Sequence, residues 1–188
     1  MRTRLALAIS LLMIAPALAA PVKPAPKAAP AHPAGKWRYH GTADKMRGTV
    51  ARFAELDSKN SLRFGFPYRG GRATLTLRDR AQDGLNVLLS VQGQFLCSSF
   101  SDSSVAVKFD NGPVEDYDCS EPDSGTTGLI FIENADKFVT RLRSARTVII
   151  EANFFQEGPK QMEFDTAGLI WKQETKEAAA PAQPNAQP

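Results

Sequence analysis

The sequence predicts an all-β domain, mainly an antiparallel β-sandwich or small barrel, with one short α-helix. Three observations lead to this fold class: apolar and polar residues alternate in several short runs, turn-forming residues separate the runs, and one later segment has helical spacing. Short strands with one solvated face favour antiparallel pairing. A membrane-spanning barrel is the competing architecture, but its strands need about 9 to 11 residues, which is longer than most of these runs.

Alternation with a period of two defines the predicted strands. Leu62, Phe64 and Phe66 alternate with polar or small residues, which predicts a half-buried strand. The same pattern predicts strands at 73–78, 85–91, 105–109, 128–132 and 148–154, with a short strand at 95–97 and a last one from 162 to 171. Turn signals stand between them at 57–60, 69–71, 82–84 and 110–113.

One segment has the spacing of a helix. Asn134 is a residue type that can cap a helix, and Phe138, Leu142 and Ala145 then recur at intervals of four and three. The intervening basic residues would face solvent; they are Lys137, Arg141 and Arg143. We expect a helix of about three turns that plugs one end of the sheet.

The N-terminus predicts export. Arg2 and Arg4 precede an apolar run at 5–14, and Ala17 and Ala19 supply small residues at a cleavage site, which together are typical of a signal peptide at 1–19. A retained anchor helix is the alternative, but the run is shorter than the roughly 20 residues that span a bilayer. We expect a periplasmic or secreted protein with no transmembrane segment in the mature chain.

Composition divides the remaining chain into three parts. Residues 20–35 are rich in Pro and Ala and predict a disordered linker, and residues 173–188 repeat that composition and predict a disordered tail. A single β-sandwich domain at 36–172 remains between them.

Charge argues against a nucleic-acid partner. Loss of 1–19 lowers the formal net charge from +3 to +1, and the 18 basic residues of 36–172 balance 18 acidic ones. The balance is uneven along the chain: +7 over 36–80, −9 over 81–136 and +2 over 137–172. A strand order that keeps these segments apart would orient the approach of a charged partner, whereas an interleaved order would cancel the poles.

Two cysteines predict one disulfide bond. Cys97 and Cys119 are the only thiols of an exported chain, so we expect them to be joined. Closing a loop of this size is worth about 3 kcal/mol. Two buried free thiols are the alternative.

The residue types that carry most enzyme chemistry are scarce. The two histidines, His32 and His40, lie in the predicted linker and at the domain entrance, and the chain has no G-x-S-x-G turn. We therefore predict no catalytic residues, no cofactor and no metal site, although a pair of carboxylates remains formally open. The acidic run 110–123 could hold calcium, but Glu121 stands where an EF-hand pattern needs glycine, so a solvated acidic loop is the favoured interpretation.

A turn with an aromatic residue and two arginines is the candidate partner-binding site. Tyr68, Arg69 and Arg72 surround two glycines that allow a tight reversal, and this composition is typical of binding hot spots and anion sites. The favoured alternative is structural, with Tyr68 covering the open end of the core.

Several segments between Trp37 and Trp171 carry a family resemblance. They are Trp37 itself, the strand pair LRFGFPYRGGRATLTLR, the strand VAVKFD, the helix at 138–142 and the closing FDTAGLIW. Their order resembles that of the periplasmic accessory proteins associated with type VI secretion systems. The resemblance implies a β-sandwich that acts by binding, without catalytic residues.

Two functions follow as hypotheses. The first is an exported, non-enzymatic binding or accessory protein of the cell envelope, associated with a secretion system, whose partner is an envelope protein or a cell-wall component. The alternative is an inhibitor or immunity protein that blocks a cell-wall-degrading enzyme through the acidic loop at 110–123.

Overall fold

The computed structural model of the chain describes residues 36–97 and 103–171. The predicted signal peptide, linker and tail all lie outside these residues. Within them, nine strands and one helix follow in chain order: β1 Arg38–Asp44, β2 Thr49–Asp57, β3 Thr74–Arg80, β4 Gly84–Ser90, β5 Ser104–Phe109, β6 Val114–Ser120, β7 Leu129–Ile132, α1 Ala135–Ser144, β8 Thr147–Phe154 and β9 Gly158–Asp165.

The strands form one antiparallel array in the order β1-β2-β3-β4-β7-β6-β5-β8-β9. The predicted class, mainly antiparallel β with one short helix, is confirmed. The array is not closed, so of the two expected architectures the sandwich is the one observed. Within the described residues there is no helix with the length and apolar character that crossing a bilayer requires.

The strand order shows whether strands from the basic segment 36–80 and the acidic segment 81–136 are interleaved. The basic segment supplies β1, β2 and β3 at one side of the array, and the acidic segment supplies the four central strands. The strands of the two segments are therefore not interleaved.

Alternation builds the core. Residues on one face of β3 and β8 are buried, including Leu75, Leu77, Val148 and Ile150, and their neighbours in sequence are more exposed. Both halves of the array contribute to one cluster of buried apolar side chains. Burying each large apolar side chain stabilises the fold by about 1.5–3 kcal/mol.

The helix begins where the sequence predicts but is capped differently. α1 buries Phe138, Val139 and Leu142, and Phe138 meets the ring of Tyr117 edge-on at 5.5 Å between centroids. Asn134 is the N-cap residue, yet its side chain makes no capping hydrogen bond. Its backbone is left-handed, at φ 54°, whereas a capping side chain needs an extended backbone to reach the first N–H groups.

Three predicted strands differ from the structure. Residues 62–66 form no strand and contribute only an isolated bridge between Leu62 and Gly71, and 95–97 contributes only a bridge at Phe95. The last strand ends at Asp165 rather than 171, because a turn containing Gly168 at φ 81° follows it. The structure also contains β1, β2 and β6, which the sequence analysis did not predict.

The disulfide prediction is confirmed. Cys97 and Cys119 are joined, with 5.9 Å between their Cα atoms, and neither is a free thiol. Cys119 belongs to β6, while Cys97 follows the segment that bridges to Phe154 of β8. The bond ties that connecting segment to the central strands.

Candidate binding surface

The predicted partner-binding residues lie in the connection between β2 and β3. We call residues 63–72 the arginine loop. Its base is closed by two hydrogen bonds between Leu62 and Gly71, of 2.8 and 2.9 Å, and by a third, of 3.0 Å, from Gly70 N–H to the carbonyl of Gln92. Gly70 must be glycine, because its φ is 72° and an added Cβ would overlap the Leu62 carbonyl oxygen. The loop is therefore held at its base by backbone geometry.

Two further contacts fix the first half of the loop. Phe64 is half-buried, and its ring lies 4.8 Å from that of Phe154. The N–H of Gly65 donates a 2.6 Å hydrogen bond to the carboxylate of Glu157, and Lys160 forms a 3.1 Å ion pair with the same carboxylate. The hydrogen bond from Gly65, followed by that from Lys160, lowers the pKa of Glu157. The hydrogen bond to Gly65 therefore persists to lower pH than it would with a glutamate of ordinary pKa.

Tyr68 fixes the second half. The side chain is half-buried, and its hydroxyl donates a 2.6 Å hydrogen bond to Oε1 of Gln94. The backbone N–H of Tyr68 also donates to the carbonyl of Gly65, at 3.0 Å, which closes a tight turn across Phe66 and Pro67. These contacts are those of a residue that positions the loop.

The residue at the tip of this turn is one that sequence reasoning assigned elsewhere. Phe66 was expected to alternate into the core, but its side chain is 100% exposed. The strand fails there because Pro67 has no N–H to donate to a neighbouring strand, and the chain reverses between Gly65 and Tyr68. The signal that could have found it is the Phe-Pro-Tyr sequence beside two glycines, which reads as a turn more readily than as a strand.

The arginine loop also carries three arginines. Arg63, Arg69 and Arg72 are all exposed, and within the described part of the chain none of them takes part in a salt bridge. Arg72 lies close enough to Asp57 to contribute to the lowered pKa of that carboxyl, although the hydrogen bond from Arg38 is the largest cause. The loop thus carries one fully exposed aromatic ring and three exposed arginines that form no salt bridge with the described residues.

Other apolar side chains extend the surface beside the loop. Leu96 is 49% exposed and Phe155 is 44% exposed. Both flank the strand-like contact between Gln94 and β8, in which Phe155 N–H donates to Gln94 O at 2.9 Å. Since Gln94 also binds Tyr68, these side chains and the arginine loop belong to the same end of the sandwich.

The acidic run differs from the expected protruding loop. Half of 110–123 is strand β6, in which Tyr117 and Cys119 point into the core while Asp116 and Asp118 point outward. Within 36–97 and 103–171, no group of three His, Cys, Asp or Glu side chains is spaced to hold a metal ion. The carboxylates are spread along a strand instead of converging.

Glu115 lies on the core side of β6, where two cations of α1 neutralise it. Its carboxylate forms ion pairs with Lys137, at 3.1 Å, and Arg141 of α1. The hydrogen bond from Lys137 is the main cause of its lowered pKa. The same two cations lie over the rings of Tyr117 and Phe109, so this cluster attaches the helix to the sheet.

His40 and a group of charged residues beside β3 and β4 make structural contacts. His40 stacks on Phe53 at 4.6 Å between ring centroids, on the exposed strand β1. In a shallow cleft beside β3 and β4, Arg78 and Arg80 both bind the carboxylate of Asp83, and Arg78 also lies 5.4 Å from the ring of Phe131. Glu121, Asp123, Glu133 and Asp136 also line this cleft, so acidic side chains outnumber the two arginines there.

Among the described residues, Phe66 of the arginine loop is the only large apolar side chain that is 100% exposed. The loop that carries it is held by the hydrogen bonds of Gly65, Tyr68 and Gly70. The resemblance to type VI secretion accessory proteins stays a prediction. No protein-family model, curated protein sequence or solved structure matches this chain.

Proposed function

We propose that this chain is an exported, non-enzymatic binding protein of the cell envelope that docks through the arginine loop onto an envelope protein or a cell-wall component. The observation that carries the proposal is Phe66, which is fully exposed at the tip of a loop held by hydrogen bonds on both sides. A large exposed ring on a fixed support is typical of an interaction anchor.

The energetics favour binding by such a ring. Burying a phenylalanine side chain on a partner gains about 1.5–3 kcal/mol. Because the contacts of Gly65, Tyr68 and Gly70 already fix the backbone, docking pays little to order the loop. A pre-organised anchor of this kind loses less conformational entropy on binding than a mobile loop would.

The arginines define the chemistry of the partner surface. Arg63, Arg69 and Arg72 carry charge that no described carboxylate neutralises by a salt bridge. They complement an acidic surface, raise the rate of encounter with it and offer bidentate hydrogen bonds to carboxylates. The partner therefore has an apolar pocket for Phe66 with acidic groups around it.

Two observations support the envelope as the place of action. The disulfide between Cys97 and Cys119 is typical of oxidising compartments, and the N-terminal pattern of 1–19 predicts secretion. Association with a secretion system is the finer part of the proposal and depends on the resemblance in element order.

The test is crosslinking of a tagged full chain in cells, followed by mass spectrometry of the envelope proteins that co-purify. Phe66→Ala should remove the main crosslinked partner without changing the melting temperature, because the ring buries nothing in the free protein. Met46→Ala is the matched control, since Met46 is 89% exposed in the turn at the other end of β2.

The identity of the crosslinked partner distinguishes the two candidate functions. Loss of secretion-apparatus subunits with Phe66→Ala would support the accessory function, whereas recovery of a single wall-degrading hydrolase would support the inhibitor alternative. Equal recovery of the same partners by Phe66→Ala, Met46→Ala and the unaltered chain would contradict docking through the arginine loop.

A further inference from the structure

The two edges of the strand array are treated differently by the rest of the chain. At the β9 edge, Lys59 N–H donates to the carbonyl of Glu163 at 2.6 Å. The side chain of Asn60 donates to the carbonyl of Gln161 at 2.8 Å and accepts from the N–H of Glu163 at 2.9 Å. Pro159 removes a further donor from this strand. The β9 edge is thereby protected against pairing with another chain.

The β1 edge lacks this protection. Six of its seven residues are exposed and the seventh is half-buried. Among residues 36–97 and 103–171, no backbone–backbone hydrogen bond reaches the outer side of β1 from another segment. The strand contains neither proline nor lysine, the residues that commonly block an edge. A regular strand with unpaired N–H and C=O groups is a template for a second strand.

The sequence of β1 is complementary to itself. When two copies pair antiparallel with Gly41 opposite Gly41, Arg38 of each copy lies opposite Asp44 of the other. Tyr39 then lies opposite Ala43, and both oppositely charged pairs form at once. Opposite charges directly across a strand pair are stabilising, and like charges are destabilising.

The side chains on the two faces of β1 also suit this register, since the charged residues lie on one face and uncharged residues on the other. Arg38 and Asp44 lie on the outer face, where Arg38 is cross-strand from Glu55 of β2. Tyr39, Gly41 and Ala43 lie on the face towards the core and carry no charge, since Tyr39 is cross-strand from the buried Ala54. A second copy would extend this uncharged row and cover the ring of Tyr39, which is 46% exposed in the single chain.

We propose that the chain forms a two-fold symmetric homodimer in which β1 of one copy pairs antiparallel with β1 of the other, with Gly41 on the axis. The occupant of the open edge is a second copy because the charge pattern at both ends of β1 fits itself in this register. A symmetric interface of this kind closes after two chains and leaves no further open β1 edge. The dimer is independent of the arginine loop and would present two copies of it.

Charge reversal tests the register. In sedimentation experiments on the purified full chain, Arg38→Asp and Asp44→Arg should each raise the dimer dissociation constant about tenfold or more, because each puts like charges across both pairs. An equimolar mixture of the two variants should regain the original constant, since every altered position then faces an opposite charge in the mixed dimer.

The mixture also separates an interface effect from a folding effect. Arg38 binds Asp57 within its own chain, and Asp44 accepts hydrogen bonds in the turn that follows β1, so either variant could loosen its own hairpin. Mixing cannot repair a loosened hairpin, and only pairing between copies restores dimers. Arg69→Asp, in the arginine loop, is the matched reversal and should leave the dissociation constant unchanged.

Three results would overturn the dimer. They are an unaltered chain that stays monomeric at high protein concentration, single variants that dimerise as well as the unaltered chain, and a mixture of the variants that stays monomeric. None of these results bears on partner capture by Phe66. A failure of the dimer is therefore distinguishable from a failure of the proposed function.

Discussion

Removing the disulfide should destabilise the domain strongly and measurably. Cys97 and Cys119 are separated by 22 residues, and a crosslink that closes a loop of this size restricts the unfolded chain by about 3 kcal/mol. Both side chains are buried, so the double variant Cys97→Ala, Cys119→Ala loses some packing as well. For a domain of this length the loss corresponds to a fall in melting temperature on the order of 10 °C.

Urea denaturation with and without a reducing agent measures the effect. The reducing agent should lower the midpoint of the unaltered chain to nearly that of the double variant, and it should leave the double variant unchanged. An unaltered chain whose midpoint is insensitive to reduction, with two thiols that react only after unfolding, would refute the crosslink and the reasoning built on it.

Three further outcomes follow from buried contacts and from backbone geometry. Phe138→Ala should lower the free energy of unfolding by about 3–5 kcal/mol, measured by urea denaturation, because the side chain is fully buried in the core. Burial raises the pKa of the Tyr117 phenol to about 12, so its contribution to stability is complete below about pH 10 and is lost as the pH rises through 12. An absorbance titration in which every phenolate forms by about pH 11 would contradict that burial. Gly70→Ala should abolish partner capture by the arginine loop because its Cβ meets the Leu62 carbonyl, whereas Gly48→Ala, also at positive φ but in open space, should cost only backbone strain and keep capture intact.

Strands with one buried face could be predicted from the sequence because burial imposes alternation. In β8, for example, Val148, Ile150 and Phe154 are buried while Thr147 and Asn153 are exposed. The strands that alternation missed lack that contrast. Nearly every residue of β1 is exposed, so no apolar repeat marks it.

Alternation also failed to predict β2 and β6, because in each strand one side chain lies on the face opposite to the one its polarity suggests. In β2, Phe53 lies on the outer face and stacks on His40, which breaks the expected polar face. In β6, Glu115 lies on the core side because Lys137 and Arg141 neutralise it across the gap to α1. Both arrangements depend on partners distant in sequence, which local patterns do not register.

The candidate surface was predicted in part. Tyr68, Arg69 and Arg72 do lie together in the arginine loop, but Phe66 was assigned to the core by its alternation with Gly65. Its exposure follows from the turn closed by Tyr68. That turn depends on tertiary contacts, because Gln94 and Glu157, which hydrogen-bond to it, lie in loops distant in sequence.

Site-specific photocrosslinking from the loop tip tests docking most directly. A photoreactive phenylalanine analogue in place of Phe66, in the full chain within cells, should form a covalent adduct with an envelope protein or a cell-wall fragment. The same analogue in place of Met46, which is also highly exposed but lies beyond the other end of β2, should not form that adduct. Adducts of equal yield from both positions, or from Met46 alone, would contradict recognition through the arginine loop.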